Sequence, residues 1–294
     1  MRTTEDTTNV GQRQTGKPHN AVKSFAWQGL MVLLCVAMMY PLLWMLRSSV
    51  VPETEIFSSP SIIPSSVSFE NYAKGWDANP PGFGRFLINS LIVCVGTVLG
   101  NLVSCTLAAY AFARLRFPFK GMLFAAMLMT VMIPSHATLI PQYIVFSEIG
   151  WVNTYLPLII PKLLATDAFF IFLLVQFMRG IPNELTEAAE IDGCGHWRTF
   201  SRIILPLTTP ALATTAVFTF IWTYEDFLAP LIYLADINAY TVPLGLRMFM
   251  NAMGNSSYGQ LFAMSVVSLV PVFLIFVFFQ RQLVEGVATT GLKG

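Results

Sequence analysis

Six long apolar blocks constrain this chain more than any other feature of its sequence. A bilayer core about 30 Å thick needs roughly 20 apolar residues from each helix that crosses it. Because lipid cannot satisfy exposed backbone groups, each block is expected to be a helix. The predicted spans are residues 26–46, 86–111, 121–142, 156–178, 209–234 and 258–284. The sequence therefore predicts an all-α membrane protein of six transmembrane helices.

The composition agrees with a membrane location. Only 11% of the residues are charged and 55% are hydrophobic, whereas soluble domains carry about 25% charged residues. The net charge of +1 argues against a general nucleic-acid-binding protein. About 25 polar residues precede the first block, so it does not have the pattern of a cleaved signal sequence.

The distribution of Lys and Arg predicts the orientation, because these residues accumulate on cytoplasmic segments. Twelve of the 17 fall on one side of the six predicted spans, including Arg114, Arg116 and Lys120 in the second loop. Four fall on the other side, and Lys162 lies within a span. Both termini are therefore predicted to be cytoplasmic.

The cytoplasmic segment between the fourth and fifth spans has an unusual pattern for a connection. Asn183 is a good helix N-cap, and acidic residues follow in the first turn, where the helix dipole favours them. Gly193 supplies a stop. A second helix follows, with Trp197, Phe200 and Ile204 on one face. The segment is predicted to be a helix–turn–helix at the membrane surface.

This segment reads EAAEIDGCGHWRTFSRIILP from residue 187 to residue 206, and it resembles the EAA signature of ABC importer permeases. The resemblance extends over roughly residues 40–294 and includes NSLIVCVGTVLGNLVSCTLAAYAFARLRFPFKG and the C-terminal TTGLKG. Within that family the sequence looks like the carbohydrate-uptake subfamily, specifically the subunit type of the maltose permease G subunit. The resemblance implies a type I ABC importer permease fold in a bacterial cytoplasmic (inner) membrane.

What the resemblance further implies is an assembly of several proteins. Its members would be a second permease subunit, two ATPase subunits that bind ATP and Mg, and an extracytoplasmic binding protein that delivers a saccharide. The chain itself would hold no cofactor and would not be an enzyme, and it contains no GxxxxGK[ST] nucleotide loop. Residues 236–257 resemble the segment that reaches into the binding protein.

The EAA helix would act as a coupling helix that docks in an ATPase cleft. Glu187 would form hydrogen bonds or an ion pair with ATPase groups, and Gly193 would permit the sharp turn. The small side chains of Ala188 and Ala189 would keep the docking surface flat enough for close contact. The residues assigned to this docking are Glu187, Ala188, Ala189, Asp192 and Gly193. The saccharide is the favoured solute, and the alternative is a non-sugar solute such as a phosphate ester, an osmolyte or an amino acid.

Polar residues inside predicted spans are candidates for the substrate pathway, because their insertion costs about 2.5–3.5 kcal/mol each unless they face protein or water. The candidates are His136, Lys162, Tyr224, Glu225 and Asp226. Lys162 and His136 could favour an anionic saccharide, and Tyr224 could stack against a sugar ring. In the alternative interpretation, Lys162 pairs with an acid, Glu225 or Asp226 caps a helix end, and none touches substrate. Glu225 also departs from the family's usual Trp-Asn-x-Phe pattern.

Two further expectations concern packing and function class. Small residues recur every four positions in the second block, at Gly96, Gly100, Ser104 and Ala108, and this spacing lets two helices approach closely. We expect the close contact to be with another helix of this chain rather than with another subunit. A membrane enzyme or a self-sufficient channel is disfavoured, because the three histidines lie in different segments and neither class needs an ATPase-docking helix.

The chain is expected to divide into four parts. These are a flexible cytoplasmic tail (1–25), the first span with an external loop (26–85), a five-helix core with coupling helices at about 183–205 (86–284), and a cytoplasmic C-terminal tail (285–294).

Overall fold

The computed structural model describes residues 19–58, 61–250 and 257–291, and within those residues the fold is entirely helical. The predicted all-α class is confirmed. The α-helices are α1 (His19–Ser49), α2 (Glu53–Ile56), α3 (Glu70–Asp77), α4 (Phe83–Arg114), α5 (Lys120–Thr130), α6 (Ser135–Glu148), α7 (Leu156–Leu163), α8 (Ala168–Gly180), α9 (Glu184–Ile191), α10 (His196–Thr199), α11 (Leu205–Leu207), α12 (Thr209–Glu225), α13 (Leu228–Tyr233), α14 (Val242–Arg247) and α15 (Tyr258–Gly291). A π-helical turn, Phe200–Ile204, joins α10 to α11, and a 3₁₀ turn, Ile237–Ala239, precedes α14.

Four helical stretches in the described part of the chain are long and apolar enough to cross a membrane. They are Ser24–Ser49, Phe83–Arg114, Leu156–Gly180 and Tyr258–Gln282. A fifth is obtained if His196–Leu207 and α12, which meet at an angle of 74°, form one bent span. The sequence predicts six spans, so the length and apolar character of individual helices account for four or five of them.

The difference arises from breaks inside the predicted spans. The third predicted span is divided into α5 and α6 by a turn that ends at Pro134, and proline lacks the amide that a continuous helix needs. The fifth is interrupted at Asp226, where the backbone becomes extended. The fourth also has a break, between α7 and α8, where Ala165 has a φ of 54°, but Leu156–Gly180 still counts as one stretch of span length. Each break places polar backbone or side-chain groups within an otherwise apolar segment.

Helix α4 is the central element, and it packs against α7, α8 and α12. Three of the four small residues predicted to allow close approach, Gly96, Gly100 and Ser104, lie on its contact with α7. A Cβ atom on Gly96 would lie 2.9 Å from Ile159, and one on Gly100 would lie 2.9 Å from Leu163. The Ser104 hydroxyl donates to the Lys162 carbonyl at 2.7 Å. The expectation of packing within the chain is confirmed.

The loop outside the first span is ordered by short helices. Helix α3, Glu70–Asp77, lies in this loop. Arg47, at the end of α1, is 4% exposed and its guanidinium donates to the Glu55 carboxylate at 3.1 Å and to the Ile56 carbonyl at 3.3 Å. The buried arginine therefore fixes α2 against the end of α1.

The two predicted tails lie only partly within the described residues. Helix α1 begins at His19, inside the segment 1–25, and residues 1–18 lie outside the described part. Helix α15 continues to Gly291, inside the segment 285–294, and residues 292–294 lie outside it. The described portion of each segment is helical rather than loop.

Candidate functional site

Helix α9 carries the EAA sequence as a short helix that stands apart from the apolar bundle. Asn183 occupies the position before its first turn, and its carbonyl accepts the amides of Thr186 and Glu187 at 2.9 and 3.0 Å. Asn183 occupies the predicted N-cap position, but the prediction that its side chain caps the helix is wrong. The Asn183 amide oxygen instead accepts from the Arg114 guanidinium at the end of α4.

The C-terminal end of α9 depends on Gly193. This residue has a φ of 76°, a left-handed conformation that suits glycine. The Gly193 amide donates to the Glu190 carbonyl at 3.0 Å, and the Cys194 amide donates to the Ala189 carbonyl at 2.8 Å. This pair of bonds is a Schellman motif, which satisfies the last helix carbonyls and turns the chain sharply.

The exposed face of α9 combines small, apolar and acidic groups. Of the residues assigned to ATPase docking, Glu187, Ala188, Asp192 and Gly193 are exposed, whereas Ala189 is 4% exposed and faces inward. Ile191 is 86% exposed and Leu185 is 42% exposed. These two apolar side chains lie on an otherwise polar helix and are open to contact.

The second arm of the predicted helix–turn–helix runs from α10 through the π-helical turn to α11. Phe200 and Ile204 are buried, as their shared face predicted. Trp197 remains 69% exposed, although its ring lies 5.5 Å from that of Phe200. The sharp angle to α12 follows Thr208, so the arm lies across the end of the bundle.

A cavity of about 760 Å³ lies among the broken helices at the other end of the bundle. Its wall comes from α4, α5, α6, α7, α8, α12 and α13, and from the breaks between them. Hydroxyl, amide and ionisable groups alternate with aromatic ones. The polar and aromatic lining includes Thr97, His136, Gln142, Lys162, Asp167, Thr219, Trp222, Asp226 and Tyr233.

Three of the five predicted pathway residues come together in this cavity: His136, Lys162 and Asp226. The Lys162 ammonium donates to the Asp167 carboxylate at 2.8 Å, across the break between α7 and α8. Asp226 Oδ1 accepts the amides of Leu228 and Ala229 at 3.1 and 3.2 Å, and so caps α13. Lys162 and Asp226 therefore have structural partners, and all three residues line the cavity.

The other two predicted residues lie outside the cavity wall. The Tyr224 side chain is 5% exposed and its hydroxyl donates to the Ser268 carbonyl of α15 at 3.0 Å. The Glu225 side chain is exposed, but it does not line the cavity. A one-residue step along a helix turns a side chain by about 100°, so neighbouring residues need not share a surface.

Sequence reasoning missed the aromatic and amide groups of the site. Trp222 is 50% exposed and lines the cavity. Asn101, fully buried in α4, donates to Thr219 at 2.9 Å and to Asp167 at 3.5 Å. An amide in the middle of an apolar block is a signal that could have found Asn101, since buried polar groups require partners.

The comparisons with known proteins agree with this geometry. Residues 96–289 match the family described as binding-protein-dependent transport system inner membrane component. A diacetylchitobiose uptake system permease protein of Streptomyces coelicolor is 34% identical over 261 residues, covering 88% of this chain and 85% of its own. A trehalose/maltose transport system permease protein of Thermococcus litoralis is 30% identical over 263 residues, covering 90% and 94%.

A crystal structure of a bacterial ABC transporter involved in the import of the acidic polysaccharide alginate is similar in fold. The match has a TM-score of 0.80 and covers 90% of this chain and 98% of that one, at 18% sequence identity.

The chain therefore belongs to the family of inner membrane components of binding-protein-dependent transport systems. The resemblance predicted from the EAA segment is confirmed. Within the family, the chain is similar to permease proteins of sugar uptake systems, and its place is the bacterial inner membrane.

Proposed function

We propose that this chain is a permease subunit of an ATP-driven importer that moves a saccharide from an extracytoplasmic binding protein into the cytoplasm. The observation that carries the proposal is α9, an exposed EAA helix on a chain whose relatives are sugar permeases. The alternative of a non-sugar solute is not favoured, because the relatives compared are named for diacetylchitobiose and for trehalose or maltose.

The energy would come from partners. Two ATPase subunits would bind ATP and Mg, and α9 would dock in a cleft of one of them. The exposed Ile191 and Leu185 would supply apolar contact, and Glu187 would supply a charged hydrogen bond. The family description itself names dependence on a binding protein. A second permease subunit would complete the pore.

The cavity is proposed as this subunit's share of the substrate pathway. Lys162 is paired with Asp167, and Asp226 adds a second carboxylate. One lysine against two carboxylates gives little attraction for an anion, so a neutral saccharide fits better than the anionic one that Lys162 and His136 suggest in the sequence. Carboxylates accept hydrogen bonds from sugar hydroxyls, and Trp222 offers an apolar face to a sugar ring.

The membrane topology is proposed to have six spans with both termini cytoplasmic. The third span would combine α5 and α6, and the fifth would combine α12 and α13, each around its break. The proposal rests on the distribution of Lys and Arg and on the lengths of the apolar blocks. The core would then comprise residues 86–284, with the external loop before it, as the sequence predicts.

The proposed assembly is tested by purifying this subunit from its native membrane in mild detergent and identifying the proteins that accompany it. Recovery of an ATPase, a second permease and a solute-binding protein is expected. Recovery of the subunit alone, repeated after crosslinking, would contradict the proposal and reopen the channel or enzyme class.

The proposed cavity is tested by a matched pair of neighbouring substitutions. Asp226→Asn keeps an oxygen that can cap α13 but removes the charge, and we expect it to raise the half-saturation concentration for uptake at least fivefold, since about 1 kcal/mol of hydrogen bonding is lost. Glu225→Gln, outside the cavity, is expected to leave it unchanged. Equal effects of both substitutions would contradict the proposal that the cavity contacts the substrate.

A further inference from the structure

The cytoplasmic end of α4 is attached to both arms of the coupling segment, residues 183–207. Arg114, in the last turn of α4, places one guanidinium nitrogen within 2.6 Å of the Met178 carbonyl and 2.5 Å of the Ile181 carbonyl. Its other terminal nitrogen donates to the Asn183 side chain, immediately before α9. The arginine therefore bridges the end of α8 and the start of α9.

The second attachment is one turn earlier on the same helix. Tyr110 is 6% exposed, and its hydroxyl donates to the His196 carbonyl at 3.1 Å. Its ring lies 4.9 Å from that of Phe200, in the π-helical turn of the second arm. Residues four apart on a helix lie on one face, so Tyr110 and Arg114 hold α10 and α9 side by side.

From these contacts we infer that Tyr110 and Arg114 form a two-point clamp through which the coupling segment moves α4 as one rigid body. The inference rests on the proposed function and goes beyond it by naming the element that receives the motion. Neither residue belongs to the EAA sequence, and the sequence alone assigns Arg114 only to topology.

The position of α4 explains why this attachment matters for transport. The same helix contributes Ser90, Val93 and Thr97 to the cavity wall. A helix rises 1.5 Å per residue, so the clamp at Arg114 lies about 25 Å from Thr97 along one continuous rod. Helix α4 also packs against α7, α8 and α12, which line the cavity with it. A displacement of α9 and α10 would thus reach the cavity without passing through a loop.

The chemistry of the clamp requires these particular residue types. A guanidinium has five donors in a fixed planar arrangement and can bind three acceptors at once, whereas a lysine ammonium is a single point charge. The Met178 and Ile181 carbonyls lie at the end of α8, where the helix dipole favours a cation. Arg114→Lys keeps the positive charge and loses the bridging geometry, and Tyr110→Phe removes one hydroxyl and keeps the ring.

The test uses the complete importer, purified from its native membrane and reconstituted in proteoliposomes with its binding protein. The measured quantity is the number of saccharide molecules taken up per ATP hydrolysed. Tyr110→Phe is expected to lower this ratio about fivefold, the effect of losing one hydrogen bond, and Arg114→Lys is expected to lower it at least as much, with assembly unchanged in both. Arg116→Lys and Tyr40→Phe are matched controls at exposed positions and are expected to keep the wild-type ratio.

A second measurement leaves the clamp intact and remains decisive if a variant fails to assemble. Spin labels are placed at Leu107 on α4 and Glu190 on α9, both exposed, in a chain with Cys35 and Cys194 replaced by serine. The distance between the labels is expected to be the same in resting complexes and in complexes arrested with bound ATP. A change of several ångströms, or wild-type ratios for both clamp variants, overturns the clamp. Absence of ATP-driven uptake by the wild-type complex would instead overturn the proposed function.

Discussion

At the scale of single residues, Gly193 is required for its backbone conformation and not because neighbouring atoms leave no space for a side chain. A Cβ atom at Gly193 or at Gly195 would meet nothing within 4 Å, so both positions have space for a side chain. The two differ in conformation, because φ is 76° at Gly193 and −75° at Gly195. Only the first requires a left-handed residue, which costs roughly 1–2 kcal/mol for other amino acids.

This difference gives a matched prediction. Gly193→Val is expected to distort the turn after α9 and to lower sugar uptake per ATP hydrolysed severalfold, with membrane insertion unchanged. Gly195→Val, in an extended conformation that any residue adopts, is expected to behave as wild type. The measurement is uptake and ATP hydrolysis in proteoliposomes at equal amounts of assembled complex. Wild-type coupling in the Gly193 variant would refute the role of the turn.

Glu55 provides a residue-scale prediction about pH. Hydrogen bonding by Ser65, with the nearby charge of Arg47, lowers the pKa of the Glu55 carboxyl from its ordinary value. Because the folded pKa lies below the unfolded value of about 4.3, the stabilisation is present above that pH and is lost as the pH falls through the folded pKa.

We therefore expect the purified protein to melt at a higher temperature than its Glu55→Gln variant at pH 7, and the difference to disappear as the pH falls through the lowered folded pKa of the Glu55 carboxyl. Glu70→Gln is the control, because Glu70 and Lys74 form a pair with both side chains more than 60% exposed, and such pairs contribute little. A wild-type advantage that persists unchanged at the lowest pH would show that Glu55 does not act through its charge.

At the scale of helices, close packing of α4 against α7 explains the small residues of the apolar block. The nearest atom to a Cβ on Gly96 would be the flexible end of Ile159. The nearest to a Cβ on Gly100 would be Leu163 Cγ, with the Leu163 backbone nitrogen at 3.3 Å. The second neighbour cannot move without shifting α7.

Gly100→Ala is accordingly expected to destabilise the protein by about 1–3 kcal/mol through overpacking, and Gly96→Ala by less. Gly29→Ala in α1 meets no neighbour within 4 Å, and is expected to be neutral or slightly stabilising because alanine favours helix. Melting temperatures of the three variants in detergent would reveal the order. Equal melting temperatures would indicate that α4 and α7 are not in close contact.

Helical elements were largely predictable from sequence, whereas their breaks were not. Apolar length identified the four stretches of span length in the described residues, and the pattern from Asn183 to Ile204 identified both helical arms of the coupling segment. The left-handed Ala165 carries no local signal, since it is neither glycine nor proline, whereas Asp226 is a residue type that favours helix N-termini and was one of the predicted caps. The burial of Tyr224 and the bridge from Arg114 to Asn183 depend on contacts between distant segments, which periodicity within one helix cannot supply.

At the scale of the whole molecule, the fold separates the exposed helix α9 from a cavity among broken helices, and α4 connects the two. The proposed orientation makes a direct prediction. A cysteine at Ala235 is expected to react with a membrane-impermeant maleimide in intact spheroplasts. A cysteine at Glu190 is expected to react only after lysis, and both positions are exposed in the folded chain. Labelling of Glu190→Cys in intact spheroplasts would show that the orientation is the reverse of the one proposed.

The central claim is that this chain couples ATP hydrolysis by partner subunits to the transport of a saccharide across the membrane. Its most direct test is uptake of a labelled saccharide into proteoliposomes that contain the purified complex, with binding protein outside and ATP inside. Uptake that requires both, and that stops when ATP is replaced by a non-hydrolysable analogue, is the predicted result. Uptake that proceeds at the same rate without ATP would contradict the account, because the chain would then be acting as a channel.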